Sequence, residues 1–102
     1  MARIVWSPEA SKRLIEIDAY LLLTVPERAE EIVDRLVAAV DRLAQFPAMG
    51  RAVAGPRDRD TRELIVDSFH IVYSVEGDDV EISTILHGAM DVTARLRELF
   101  GE

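Results

Sequence analysis

The apolar residues of this chain change their period once, and that change constrains the fold more than any other feature. From Ala10 to Leu43 they recur at helical spacing, and from Thr61 to Leu86 they alternate. One kind of element cannot satisfy both periods, so helices must pack against a sheet. Ser7 can cap the first helix, Pro8 suits its first position, and Glu9 sits near its positive end. Ala10, Leu14, Ile17 and Leu21 continue it, and Pro26 stops it by disfavouring helical geometry in the residue before. Pro26 then opens a second helix, with Glu27, Glu30 and Glu31 in its first turns. Its stripe is Ala29, Ile32, Val33, Leu36, Val40 and Leu43, and it fades at Gln45-Phe46-Pro47. The short link predicts an antiparallel hairpin.

Strands flank this hairpin. Ala2–Trp6 is β-branched and aromatic enough for a first strand. Ala48–Asp60 reads as a loop holding Gly50, Gly55 and Pro56. Beyond it, Arg62, Leu64 and Val66 share one side of a strand, and Phe69, Ile71, Tyr73 and Val75 share a face of the next. Glu76-Gly77-Asp78-Asp79 is a hairpin turn, after which Val80, Ile82, Thr84 and Leu86 are expected on one face. Val92, Leu96, Leu99 and Phe100 mark a short terminal helix over 91–100. The expected fold is α+β: a single domain over 1–102 in two layers, with an N-terminal strand and an α-helical hairpin packed on an antiparallel sheet, in the order β-α-α-β-β-β-(α).

Charge and composition narrow the function. With 12 basic and 19 acidic residues, the net charge is −7, which opposes non-specific binding to phosphate backbones. The absence of cysteine excludes thiolate metal sites and thiol catalysis and fits a reducing cytoplasm. The uncharged stretch Ala19–Val25 is too short to span a bilayer, and Trp6-Ser-Pro-Glu interrupts any signal-peptide core, so a cytoplasmic protein is expected.

Catalytic signatures are sparse. There is no phosphate-cradling glycine loop, no HExxH and no GxSxG. His70 and His87 stand far apart without cysteine support, so neither a metal site nor a cofactor is expected. His87 lies where the last strand runs out, where an imidazole can serve as acid or base or simply bond a loop carbonyl. His70 reads as a surface or partner-facing residue rather than a catalyst. Arg51, Arg57, Arg59 and Arg62 against Asp58 and Asp60 form the one basic island. It fits an anionic partner, or a solvated loop that pairs internally. Arg62, on a strand beside the core, needs a partner of its own. Tyr73 reads as a core residue whose hydroxyl reaches the rim.

The ordered set Ile4-Val-Trp-Ser-Pro-Glu-Ala10, Phe46-Pro-Ala-Met-Gly-Arg51, Thr61-Arg-Glu-Leu64, Phe69-His-Ile-Val-Tyr73 and Ile85-Leu-His-Gly-Ala89 resembles the RelE/ParE superfamily of bacterial type II toxins. Within it the chain is most similar to the ParE, or plasmid-stabilisation, branch. The resemblance implies a growth-inhibiting toxin that poisons DNA gyrase and is neutralised by a ParD-like antitoxin. Two toxins and two antitoxins would form one complex, and DNA would be met only through the antitoxin. RelE-type cousins instead cleave mRNA on the ribosome. In such a ribonuclease Arg62 and His87 would serve as acid, base or phosphate clamp, but the lysine-rich middle and terminal aromatic of the cousins are missing here.

The implied mechanism is protein binding without enzymatic chemistry. An apolar groove between helical hairpin and sheet would receive an amphipathic antitoxin segment, with Leu14, Ile17, Leu21 and Leu22 as candidate contacts. These four cannot all lie on one side of a helix. Arg51, Arg57, Arg59 and Arg62 would pair with acidic antitoxin residues. Arg62, Tyr73, His87 and Met90 would bear on toxicity. Met90 stands where the family motif usually has arginine, which fits either natural drift or a weakened toxin. A non-toxic module that only titrates antitoxin is the remaining alternative.

Overall fold

The structure, a computed structural model, describes residues 1–55, 57 and 59–87; Met90 and the helix expected over 91–100 lie outside them. The elements run β1 (Arg3–Trp6), α1 (Pro8–Thr24), α2 (Ala29–Arg42), β2 (Arg51–Ala52), β3 (Asp60–Val66), β4 (Phe69–Glu76) and β5 (Asp79–His87). The strands form one five-stranded sheet in the order β1-β5-β4-β3-β2. This is the expected two-layer α+β architecture, with two additions. β1 pairs parallel to β5, which makes the sheet mixed rather than purely antiparallel. β2 lies inside the segment expected to be loop and pairs antiparallel with β3. Two residues are too few to show a period, so β2 left no pattern to read.

Both helices bury their apolar stripes against the same side of the sheet. Ile17 and Leu21 of α1, and Ile32, Leu36, Ala39 and Val40 of α2, join Phe69, Ile71, Tyr73, Val80, Ile82 and Ile85 in one core. Each fully buried large aliphatic side chain contributes about 1.5–3 kcal/mol. Ser7 starts α1 and ties it to the sheet. Its hydroxyl accepts from Ala10 N (3.0 Å) and donates to the Ser83 carbonyl (2.8 Å). α2 begins later than expected, because Val25–Arg28 closes as a turn, with Arg28 N donating to the Val25 carbonyl. No side chain caps it.

One expectation for β5 fails. Thr84 pairs with Val72 while Ile82 pairs with Tyr73, which leaves Ser83 as an extra residue in a β-bulge. The bulge reverses the alternation of every residue after it. Val80 and Ile82 face the helices as expected, but so does Ile85, while Leu86 joins Val72 and Val53 on the opposite face. His87 is carried to the helix side, where its ring stacks on Phe69 (4.6 Å between centroids, 19° between planes).

Candidate functional site

Tyr73 and Arg62 are cross-strand partners on β4 and β3, and both are used on the chain between α2 and β2. The Tyr73 hydroxyl donates to the Pro47 carbonyl (2.8 Å) and accepts from Gly50 N (2.8 Å). Arg62 Nη1 donates to the carbonyls of Gly50 (2.8 Å) and Ala48 (3.2 Å), and its Nε donates to the Asp60 carboxylate (3.1 Å). Together they clasp residues 47–50. Gly50 is demanded by this closeness: a Cβ there would lie 2.6 Å from the Glu63 carbonyl and 2.7 Å from the Tyr73 hydroxyl oxygen. Burial pushes the Tyr73 hydroxyl above its ordinary pKa, although the Gly50 bond and the Arg62 charge oppose this. Its proton is therefore held more tightly than in a free tyrosine. The clasp presents Phe46 and Met49 to solvent.

His87 stands at the other end of the same sheet face. Besides stacking on Phe69, it meets the edge of Tyr20 (5.5 Å). With Arg13, Glu16, Ile17 and Ile85 these two rings line a cleft of about 190 Å³. Arg13 is already paired with Glu9 (2.9 Å). Arg62 is opposite Tyr73, and His87 is opposite Phe69, four residues before Tyr73 on β4. At ~3.3 Å per residue and ~4.8 Å per strand, the two backbones stand roughly 16 Å apart. A general acid or base must lie within hydrogen-bond reach, or one water, of the proton it moves, so two that serve one bond must converge on the same reacting atoms. The structure does not bring Arg62 and His87 together. Among the described residues, no group of three or more His, Asp or Glu side chains is placed to hold a metal ion.

Three of the four arginines of the basic island are paired within the fold. Arg51 binds Glu63 (2.8 Å), Arg62 binds Asp60, and Arg59 reaches Glu76 (3.1 Å) and Glu81 (3.6 Å). Arg57 is exposed on the loop. Glu63 was not singled out from sequence, yet its side chain is fully buried between Arg51 and His70 Nδ1 (3.0 Å). Burial alone would push its carboxyl up. The hydrogen bonds and charges of His70 and Arg51 outweigh that and hold it below the ordinary carboxylate value. Its glutamate at an alternating position among apolar neighbours was the available signal. His70 is half-buried in this pair rather than a free surface residue.

The four α1 candidates separate cleanly. Ile17 and Leu21 are core residues, and Leu14 packs against that core. They fill the space between hairpin and sheet, where an open groove was expected. Leu22 is exposed, and sequence reasoning missed its neighbours: Ile15 is 72% and Leu23 86% exposed. Ile15, Ala19, Leu22 and Leu23 follow i, i+4, i+7, i+8 spacing, so they form a second apolar stripe on the outer side of α1. The signal was present in the run Tyr20-Leu-Leu-Leu-Thr24, whose three leucines cannot all face inward.

Comparison with known proteins gives a consistent picture. A family model described as the ParE toxin of the type II toxin–antitoxin system parDE matches residues 4–92. The chain is 42% identical over 86 residues to Y4kP of Sinorhizobium fredii, a protein with a provisional toxin name, covering 83% of this chain and 86% of that one. It is 33% identical over 90 residues to toxin RelE2 of Caulobacter vibrioides, covering 87% and 98%. Among solved structures it matches a chain of the chromosomal ParDE TA system from P. aeruginosa with a TM-score of 0.71. That match has 24% identity and covers 86% of this chain and 97% of that one.

Proposed function

Because this chain belongs to the family of ParE toxins of type II toxin–antitoxin systems, we propose that it arrests bacterial growth by gripping other proteins, not by cleaving a substrate. Its neutralising partner is a ParD-like antitoxin, and its target in the cytoplasm is DNA gyrase. The observation that carries this reading is the open apolar stripe of Ile15, Leu22 and Leu23 on the outside of α1. Exposed large side chains at helical spacing are what an amphipathic partner helix engages. The separation of Arg62 from His87 supports a non-enzymatic role, as does the use of Arg62 and Tyr73 in holding residues 47–50. Arg62 and Tyr73 act on toxicity through that loop, by fixing how Phe46 and Met49 are shown to a target.

Inducing the chain alone in a bacterium tests this. Growth arrest with gyrase-linked DNA breaks and intact mRNA is the expected result. Ribosome-dependent mRNA cleavage that disappears in His87→Ala would replace it with the activity of the RelE-type cousins, and unimpaired growth would leave a module that only binds antitoxin. Met90→Arg is expected to strengthen arrest; equal arrest in the two forms would remove Met90 as a cause of weakened toxicity. The protein encoded beside this gene, if a ribbon-helix-helix antitoxin, should co-purify with the chain in a complex of two toxins and two antitoxins.

A further inference from the structure

The outer side of the helical hairpin carries two stripes of different chemistry. On α1 it is apolar, with Ile15, Leu22 and Leu23 exposed. On α2 it is acidic. The residues opposite the buried stripe include Glu30 and Asp34, and Glu27 precedes them in the turn. Glu31 is engaged by Arg35 (3.7 Å), which also binds Asp67 (3.1 Å). Glu27, Glu30 and Asp34 have no salt-bridge partner among the described residues. Both helices bury their inner faces on one side of the sheet, so both outer faces point away from it. The antiparallel run of the hairpin puts Leu22 and Leu23, late in α1, at the same end as Glu27 and Glu30. The apolar stripe from Ile15 to Leu23 is about 12 Å long, enough for two turns of a docked helix.

Charge decides what fits there. A second copy of this chain would bring its own acidic stripe and a net charge of −7 against the same sign. An acidic segment would meet the same repulsion, and three of the four arginines expected to receive one, Arg51, Arg59 and Arg62, are paired within the fold. We infer that the outer face of the α1–α2 hairpin is a docking site for a basic amphipathic helix. Apolar residues of that helix at i, i+4 and i+7 cover Ile15, Leu22 and Leu23. Lysines or arginines along its flank meet Glu27, Glu30 and Asp34. The occupant is the antitoxin segment of the proposed function, and the inference rests on that reading for the partner's identity. What it adds is the sign of the partner's charge and the face of the toxin it covers.

Two synthetic amphipathic peptides with one shared apolar pattern test it on the full chain, one with lysine on its polar flank and the other with glutamate. The lysine peptide should bind about tenfold tighter at low salt. That preference should shrink at about 0.5 M salt, where exposed charges are screened within a few ångströms. The triple variant E27K/E30K/D34K should reverse the preference, and L22A/L23A should weaken both peptides. All five positions are exposed, so folding should be unaffected, which circular dichroism verifies. Equal binding of the two peptides, tighter binding of the glutamate peptide, or an unchanged preference in the triple variant would overturn the inference. Co-purification separates this from the functional reading. If the neighbouring gene's product is captured equally by wild type and the triple variant, the docking site falls and the antitoxin stands. If nothing is captured while the lysine peptide keeps its preference, the site stands and the antitoxin falls.

Discussion

The two ends of the helix-facing side of the sheet carry polar residues put to opposite use. At one end Tyr73 and Arg62 spend their hydrogen-bonding capacity on the backbone of residues 47–50. At the other, His87 stacks on Phe69, meets the edge of Tyr20 and borders an open cleft. A polar side chain saturated by backbone groups holds structure, and changing it disturbs the fold. One that is exposed and in aromatic contact can change with little structural cost. Position at a strand end therefore does not identify a reacting residue; the state of its hydrogen bonds does.

The sharpest way to break the closed end is Gly50→Ala. The added Cβ would meet a backbone carbonyl that cannot swing aside, so the variant should lose about 3 kcal/mol, within the upper range for overpacking. Chemical denaturation measures this, and a loss below about 0.5 kcal/mol would mean that the clasp tolerates a methyl group. Tyr73→Phe removes one hydroxyl that serves two backbone groups, and should cost about 2 kcal/mol by leaving both without that partner. Because this loss frees residues 47–50, proteolysis should begin near Met49 in the variant and not in the wild type.

Glu63 extends the comparison to the opposite sheet face and adds a pH dependence. Its carboxyl is held below its ordinary value by His70 and Arg51 against the cost of burial. A depressed folded-state pKa gives stability that is complete above the unfolded value and lost as pH falls through the folded one. Glu63→Gln should therefore cost about 1.5 kcal/mol at pH 7, the scale of a lost charge-assisted bond. The difference from wild type should shrink below pH ~4. Stability curves that stay parallel into acid would show that Glu63 contributes no proton linkage.

Much of the fold could be read in advance because it rests on long periodic segments. Ser7 and Pro8 placed the start of α1, Pro26 placed its end, and the alternation from Phe69 to Val75 placed the core face of β4. The bulge at Ser83 could not be read. A one-residue insertion leaves the alternation intact as text while the chain changes face, and it is set by pairing with β4. That single residue also decided the candidate site, because it moved His87 to the helix side. Arg62 was expected to meet an anionic partner; within the fold it binds Asp60, two residues away, and carbonyls of a loop 12 and 14 residues earlier, and local pattern does not encode those carbonyls. Leu22 was named with three neighbours that turned inward, because spacing gives two faces and not which one meets the sheet.

The smallest structural effect is expected at the open end, and it is the most informative about function. His87→Ala removes one stacked and one edge contact at an exposed residue, and should cost at most about 1 kcal/mol. The variant should fold and keep its affinity for the antitoxin, since His87 lies on the sheet side of the hairpin and the apolar stripe lies on its outer side. A small stability cost is what makes growth arrest readable in this variant. Loss of arrest with stability and antitoxin binding retained would assign His87 to the encounter with the target. Retained arrest would leave the loop held by Arg62 and Tyr73 as the surface that meets it. Arg62→Ala cannot give so clean an answer: its side chain holds Ala48, Gly50 and Asp60 together, so lost activity there would be inseparable from a lost loop.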